Sequence, residues 1–377
     1  MQSNSKDTSL DLIFDNESTL SRKLESLHDR ILLTVPIVDR IACAIYDAKE
    51  DLLKTFINST RAGEAIKNYQ YKLSESNSLS ILAKSGEYRV INDIQQSIQP
   101  GQAHSNWLLR QNYRSSLTVP MYDNGQFIGF IFFDSVQPVA FSDVIQRDLV
   151  LFCSLINMAV SSELSTVRTV MASTQMARDF ANLRDFETGA HLERMARYSR
   201  VIAKNIAAKH GLSDEFIEHV FRFAPLHDIG KIGIADSILL KPGKLDDQER
   251  KIMQSHVEKG VEIINKIIND FGLQKLSDSS VMTNIVECHH EFLDGSGYPR
   301  GLVGSDVPIE ARIVTTADIF DALTSRRPYK EAWSFDQACA EMHHMVSIGK
   351  LDLDCVMAIE ESATECKEIG VRYRDLD

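Results

Sequence analysis

The chain has 377 residues, of which 44% are hydrophobic and 25% charged, and it carries a formal net charge of −12. That length predicts two or three domains, and the composition excludes a disordered or low-complexity scaffold. The acidic balance argues against a general affinity for DNA, RNA or anionic membranes, so any phosphate-bearing ligand must be met by a local group of cations.

Residues 1–19 form a polar leader without the basic start and apolar core of a secretory signal. Residues 20–155 mix strand and helix patterns. Arg40 to Tyr46 reads as a strand and Ser78 to Ser85 as a helix, while two apolar runs flanking Asp123-Asn124-Gly125, from Ser116 to Asp134, read as an antiparallel hairpin. This half is expected to be α+β, an antiparallel sheet with helices.

A helix is predicted from about Phe141, and residues 156–184 read as a helical linker. Ile156, Val160, Leu164, Val167, Met171 and Thr174 follow one another at three- and four-residue spacing. That stripe packs either on its own domain or in the seam of a parallel homodimer. The longest apolar run, Leu149 to Val160, is broken by Ser154 and Asn157 and falls short of the roughly 20 residues of a membrane span, so a soluble protein without a membrane partner is expected. Strand patterns then stop, and residues 185–377 read as an all-α domain with breaks at Gly211, Pro242-Gly243, Gly272 and the Gly295 to Gly304 loop. Six scattered cysteines (Cys43, Cys153, Cys288, Cys339, Cys355, Cys366) form no Cys-x-x-Cys pair, which suits reduced thiols in a cytoplasmic protein.

The helical half gathers imidazoles and carboxylates: Glu187 and His191 four apart, His227 beside Asp228, His256, the pair His289-His290, and Asp318 within an apolar helix. Lys231 follows His227 by four and Asp228 by three, hence on one face if a helix persists from Phe221 to Ile234. His256 is predicted on an amphipathic helix with Ile252, Val257 and Val261. Adjacent side chains diverge by about 100° on a helix, so His289 and His290 are expected to serve two different ions. An imidazole and carboxylate set without thiolates fits Fe, Mn or Zn. It exceeds the needs of one ion, and a two-metal site suits phosphoester hydrolysis, with Lys231 countering charge on the phosphate.

The segments ETGAH (Glu187 to His191), HDIGKIGI (His227 to Ile234), KPGKL (Lys241 to Leu245), HHEFLDGSGYPRGL (His289 to Leu302) and ADIFDALTSRRPYK (Ala317 to Lys330) resemble the HD-GYP phosphodiesterases of the HD superfamily. The resemblance implies metal ligation by Glu187, His191, His227, Asp228, His256, His289, His290 and Asp318, with two or three divalent ions, Fe or Mn. A glutamate at the position of Glu187 implies that a third ion can be held. It further implies phosphate contacts for Lys231, Arg327 and Lys330, and a substrate contact for Tyr298. The implied reaction is hydrolysis of cyclic di-GMP to linear pGpG and then GMP, and relatives also cleave cyclic GMP-AMP. Phe292, Leu293 and Ala235 depart from the usual pattern, which leaves the choice of dinucleotide open. A catalytically silent module that binds cyclic dinucleotides or partner proteins is the reading from another class.

The N-terminal half is similar to GAF domains through KSGEYRVINDI (Lys84 to Ile94) and the hairpin SSLTVPMYDNGQFIGFIFFDS (Ser115 to Ser135). This implies a sensor domain for an unknown small ligand that regulates the second half. No residue set identifies a cyclic nucleotide, haem or bilin, and a chromophore on Cys43 or Cys153 is disfavoured.

Overall fold

The computed structural model describes residues 19–62, 65–101, 106, 109–181, 189–270, 279–326 and 332–375. They divide into two compact units, Met1–Thr166 and Val167–Asp377.

In the first unit, helix α1 (Leu20–Thr34) precedes a six-stranded antiparallel sheet: β1 (Arg40–Asp47), β2 (Leu52–Thr60), β3 (Gln70–Lys72), β4 (Arg89–Ile91), β5 (Ser115–Asp123) and β6 (Gln126–Ser135). The strand order is β3-β2-β1-β6-β5-β4. Helices α2 (Asn77–Ser85) and α3 (Ile94–Ser97) lie between β3 and β5 in the chain. The predicted hairpin is β5–β6. Asn124 and Gly125 turn it with φ of +48° and +78°, the left-handed pair that matches strand twist. The two-residue period of β1 sends Ile41, Cys43 and Ile45 into a core with Leu24, Ile31, Leu149 and Ile156. Arg40, Ala42 and Ala44 take the opposite face.

Helix α4 (Asp143–Ala181) is continuous for 39 residues. Ile156, Val160 and Leu164 are buried in the first unit's core, and Val167 and Val170 in that of the second. These five residues are covered within the chain. Helix α4 is longer than the twelve-residue apolar run it contains. By length and composition alone it could cross a membrane, and only 22% of its most apolar stretch is buried. Ser154 and Asn157 interrupt the apolar run, whereas a helix carries small polar residues without a break.

Among the described residues of the second unit the regular elements are helices: α5 (Gly189–His210), α6 (Asp214–Phe223), α7 (Asp236–Leu239), α8 (Asp247–Gln254), α9 (His256–Asp270), α10 (Ser279–Cys288), α11 (Ile309–Thr324), α12 (Phe335–Ser347), α13 (Leu353–Glu361) and α14 (Ala363–Arg372). Ser213, Asp246 and Ser334 cap α6, α8 and α12 with their side chains, the latter two as capping boxes. Met195, Ile202, Val220, Phe223, Ile285, Val314 and Ile359 belong to one core. The continuous helix predicted from Phe221 to Ile234 is absent. After α6 the chain passes through two 3-10 turns, Ala224–Leu226 and Ile229–Gly233. Pro225 supplies no N–H for a helical bond there.

Candidate metal centre

Two glycines set the geometry of the second unit's cleft. A Cβ on Gly230 would lie 1.8 Å from the His256 carbonyl oxygen and 2.4 Å from the Gly260 nitrogen, and one on Gly260 would meet Val286 Cγ1 at 2.6 Å. Only bare backbone lets the 3-10 turn, α9 and α10 approach this closely. The result is that His256 stands beside Asp228. His256 is the first residue of α9, and Ile252, predicted on the same helix, belongs to α8. The break at Ser255 turns the buried imidazole inward.

Asp228, His256, His289 and His290 bring one ligand atom each to within 4.8 Å of one another, and His191, His227 and Asp318 do the same. Asp228 lies between the groups. Its Oδ1 is 3.0 Å from His256 Nε2 and 3.6 Å from His289 Nε2, while its Oδ2 is 3.3 Å from His227 Nε2 and 2.8 Å from Lys231 Nζ. His289 and His290 lie side by side. Their ring centroids are 4.1 Å apart and both join the Asp228 group. Helix α10 ends at Cys288, so the 100° divergence of a helix does not apply.

The ring orientations are fixed by acceptors on the far side. Nδ1 of His227 donates to the Ala224 carbonyl (2.9 Å), that of His256 to Met253 (2.7 Å), and that of His289 to Val286 (3.1 Å). A carbonyl can only accept, so each ring carries its proton on Nδ1 and aims the Nε2 lone pair into the cleft. His256 Nε2, His289 Nε2 and Asp228 Oδ1 are buried and make no hydrogen bond of proper geometry. Buried polar atoms left so are costly unless something else binds them. Burial pushes the His289 and His290 imidazoles down, toward the neutral form that ligates. Burial alone would raise the Asp228 carboxyl, but Lys231 and His227 beside it hold it well below the usual carboxylate range. Neutral imidazoles, an ionised carboxylate and convergent lone pairs are the donor set of a divalent metal centre, and this cluster could hold one.

Tyr298 stacks its ring 4.6 Å from that of His290, tilted by 32°. Its loop is tied down by Glu291, whose buried carboxylate accepts the backbone N–H of Arg300 (2.7 Å), Gly301 (3.1 Å) and Leu302 (2.9 Å). Gly297 belongs to the same clamp, because a Cβ there would meet the His290 carbonyl oxygen at 2.4 Å. His191 is aimed by a partner that the sequence reading missed. Its Nδ1 lies 2.7 Å from Asp321 Oδ2, and Arg194 holds the same carboxylate with Nε (2.6 Å) and Nη2 (3.0 Å). The signal for Asp321 was its place three residues after Asp318 on α11. Glu187, Arg327 and Lys330 lie outside the described residues.

Residues 176–354 match the family model described as HD domain, and residues 30–160 match that of the GAF domain. The chain therefore carries a GAF domain followed by an HD domain. It is 44% identical over 187 residues to the cyclic di-GMP phosphodiesterase response regulator RpfG of Xanthomonas campestris, a match covering 49% of this chain and 46% of that protein. It is also 44% identical over 173 residues to the 3'3'-cGAMP-specific phosphodiesterase 2 of Vibrio cholerae, covering 45% of this chain and 31% of that protein. A cyclic di-GMP phosphodiesterase of Thermotoga maritima is 40% identical over 198 residues, with 52% of this chain and 50% of that protein covered. The chain thus spans half the length, or less, of these relatives.

Proposed function

We propose that this pairing of a GAF domain with an HD domain is a metal-dependent phosphodiesterase of the HD-GYP kind, which hydrolyses cyclic di-GMP to linear pGpG, with GMP after a second cleavage. The observation that carries the reading is the pair of adjoining ligand groups with Asp228 between them and Lys231 at its edge. The names of the relatives supply the substrate class.

On this reading His191, His227 and Asp318 hold one divalent ion and Asp228, His256, His289 and His290 a second, Fe or Mn, with Glu187 available for a third. Such ions supply Lewis acidity toward a phosphoryl group. Lys231 is partly open to solvent, with its side chain 23% exposed, and it presents an ammonium where charge builds on the phosphoryl oxygens. Burial pushes the Tyr298 phenol up, so it stays protonated and donates to the substrate rather than repelling it. Asp321 and Arg194 keep His191 aimed. Arg327 and Lys330 add phosphate contacts, and the GAF domain regulates turnover in response to a small ligand. Six free cysteines support a cytoplasmic setting.

The test is metal analysis of anaerobically purified protein together with hydrolysis of cyclic di-GMP and 3'3'-cyclic GMP-AMP in the same preparation. Bound Fe or Mn with release of pGpG is expected, and Asp228→Ala should lose both while retaining its far-UV circular dichroism. Faster cleavage of cyclic GMP-AMP would reassign the substrate. Full metal occupancy with neither dinucleotide cleaved would overturn the proposal in favour of a silent binding module.

A further inference from the structure

The small ligand that the proposed function assigns to the GAF domain has a cavity to occupy in the first unit. It opens on the sheet face opposite α1, where β1 presents Ala42 and Ala44 in place of the large residues of the other face. Its open space, mouth included, is about 880 Å³. Most of its wall is apolar, with Tyr69, Tyr71 and Phe132 among the aromatic residues.

The polar part of the wall is not balanced. Arg40 is neutralised by Asp134, with Nη1 and Oδ2 2.5 Å apart. Arg89 has no such partner among the described residues. Its Nη1 donates to Ser78 Oγ at 2.7 Å and its Nη2 to Thr118 Oγ1 at 3.4 Å, both neutral hydroxyls. Among the buried polar atoms on the lining residues, Arg40 Nε, Arg89 Nε and Gln111 Oε1 make no hydrogen bond. Arg40 and Gln111 are 4% and 8% exposed, so bulk water does not compensate them. Among the described residues, two guanidinium groups against one carboxylate leave one positive charge at an apolar hollow. Arg89 is half-buried, and a charge partly withdrawn from water without a counter-charge weakens a fold until an anion completes it.

We propose that this cavity binds a small organic carboxylate, with an aromatic or aliphatic body against the apolar wall and its anionic head on Arg89 and Arg40. One excess charge suits a monoanion. Two guanidinium Nε–H groups suit a planar head that accepts charge-assisted bonds. The tyrosines and small alanines suit a flat body.

The test is thermal unfolding of the full chain with benzoate and indole-3-acetate, each beside its neutral amide, and with phenyl phosphate. The carboxylates should raise the unfolding midpoint of the first unit saturably, and the amides should not. Arg89→Met should abolish the shift and, without ligand, should unfold at a higher temperature than the parent, because it removes an uncompensated charge. Ala42→Leu fills the hollow and should abolish the shift while leaving Arg89 in place. Equal shifts from the amides, no shift from either carboxylate, or a lower ligand-free midpoint for Arg89→Met would each overturn the proposal. Stabilisation by phenyl phosphate without benzoate would overturn the head-group assignment.

Discussion

Replacing Asp321 by Asn tests whether the second unit's fold and its metal centre share one hydrogen-bonded link. The side chains of Asp321 and Arg194 are 2% and 5% exposed, and three bonds of 2.6–3.0 Å join Asp321 to His191 and Arg194. Removing one partner of a buried ion pair costs roughly 3–5 kcal/mol. Arg194 retains two other acceptors, the Tyr373 carbonyl at 2.7 Å and Asp375 at 3.1 Å, which reduces the expected loss to about 2–4 kcal/mol. At about 2–4 °C per kcal/mol for a unit of this size, the midpoint falls by about 4–16 °C. The same change leaves His191 without its anionic partner, which should weaken metal binding roughly 10–100-fold. Calorimetry of the metal-free protein reads the first effect, and competition with a chelator of known affinity reads the second. A variant that melts within about 1 °C of the parent and binds metal equally well would refute the reasoning.

Gly230→Ala forces a Cβ against backbone atoms of His256 and Gly260, so the 3-10 turn must move off α9. It should cost about 1–3 kcal/mol, and elemental analysis should find the Asp228 group depleted. At the end of α5, Lys209 and His210 lie 2.6 and 2.8 Å from Asp354, and Lys209 foremost holds that carboxyl below its usual range. The linked stability is fully present above the unfolded carboxyl pKa near 4 and is lost as pH falls through the lower folded value. Asp354→Asn should therefore flatten the acid limb of the melting profile by under about 1 kcal/mol, and an unchanged limb would remove Asp354 from the account. A chain begun at Ala172 loses Val167 and Val170, both 1% exposed in the second unit's core. It should be less stable than one begun at Ser165 by about 1.5–3 kcal/mol per valine, so only the longer piece is a fair test of regulation by the GAF domain.

Much of this was legible because it is local. Asp123-Asn124-Gly125 announced its hairpin by residue type, and the spacing of imidazoles and carboxylates along the second half announced a metal centre before any fold was known. The helix breaks at Pro225 and Ser255 were not legible. Periodicity reports which residues are apolar, and the apolar pattern runs through both breaks. Tertiary contact decides them, since Gly230 must lie on α9. Asp321 and Arg194 stand 127 residues apart, and Glu291 clamps a loop through three backbone groups. Links of that kind leave no periodic trace. The cavity of the first unit is legible only in retrospect, in the Arg40, Ala42, Ala44 alternation of β1.

His227, His256 and His289 each donate a hydrogen bond from Nδ1 to a carbonyl three residues upstream. Each ring is therefore aimed by its own turn of chain, as soon as that turn forms, and not by the ion it will meet. A chelator should strip such a centre without unwinding it, and the emptied protein should refill on the bench. A cage already shaped before loading, and without sulfur donors, has little chemistry with which to rank Fe, Mn and Zn beyond their intrinsic order. Its occupant becomes a record of which ion the surroundings supplied, so the same chain raised in iron-rich and manganese-rich media should emerge as two different metalloproteins.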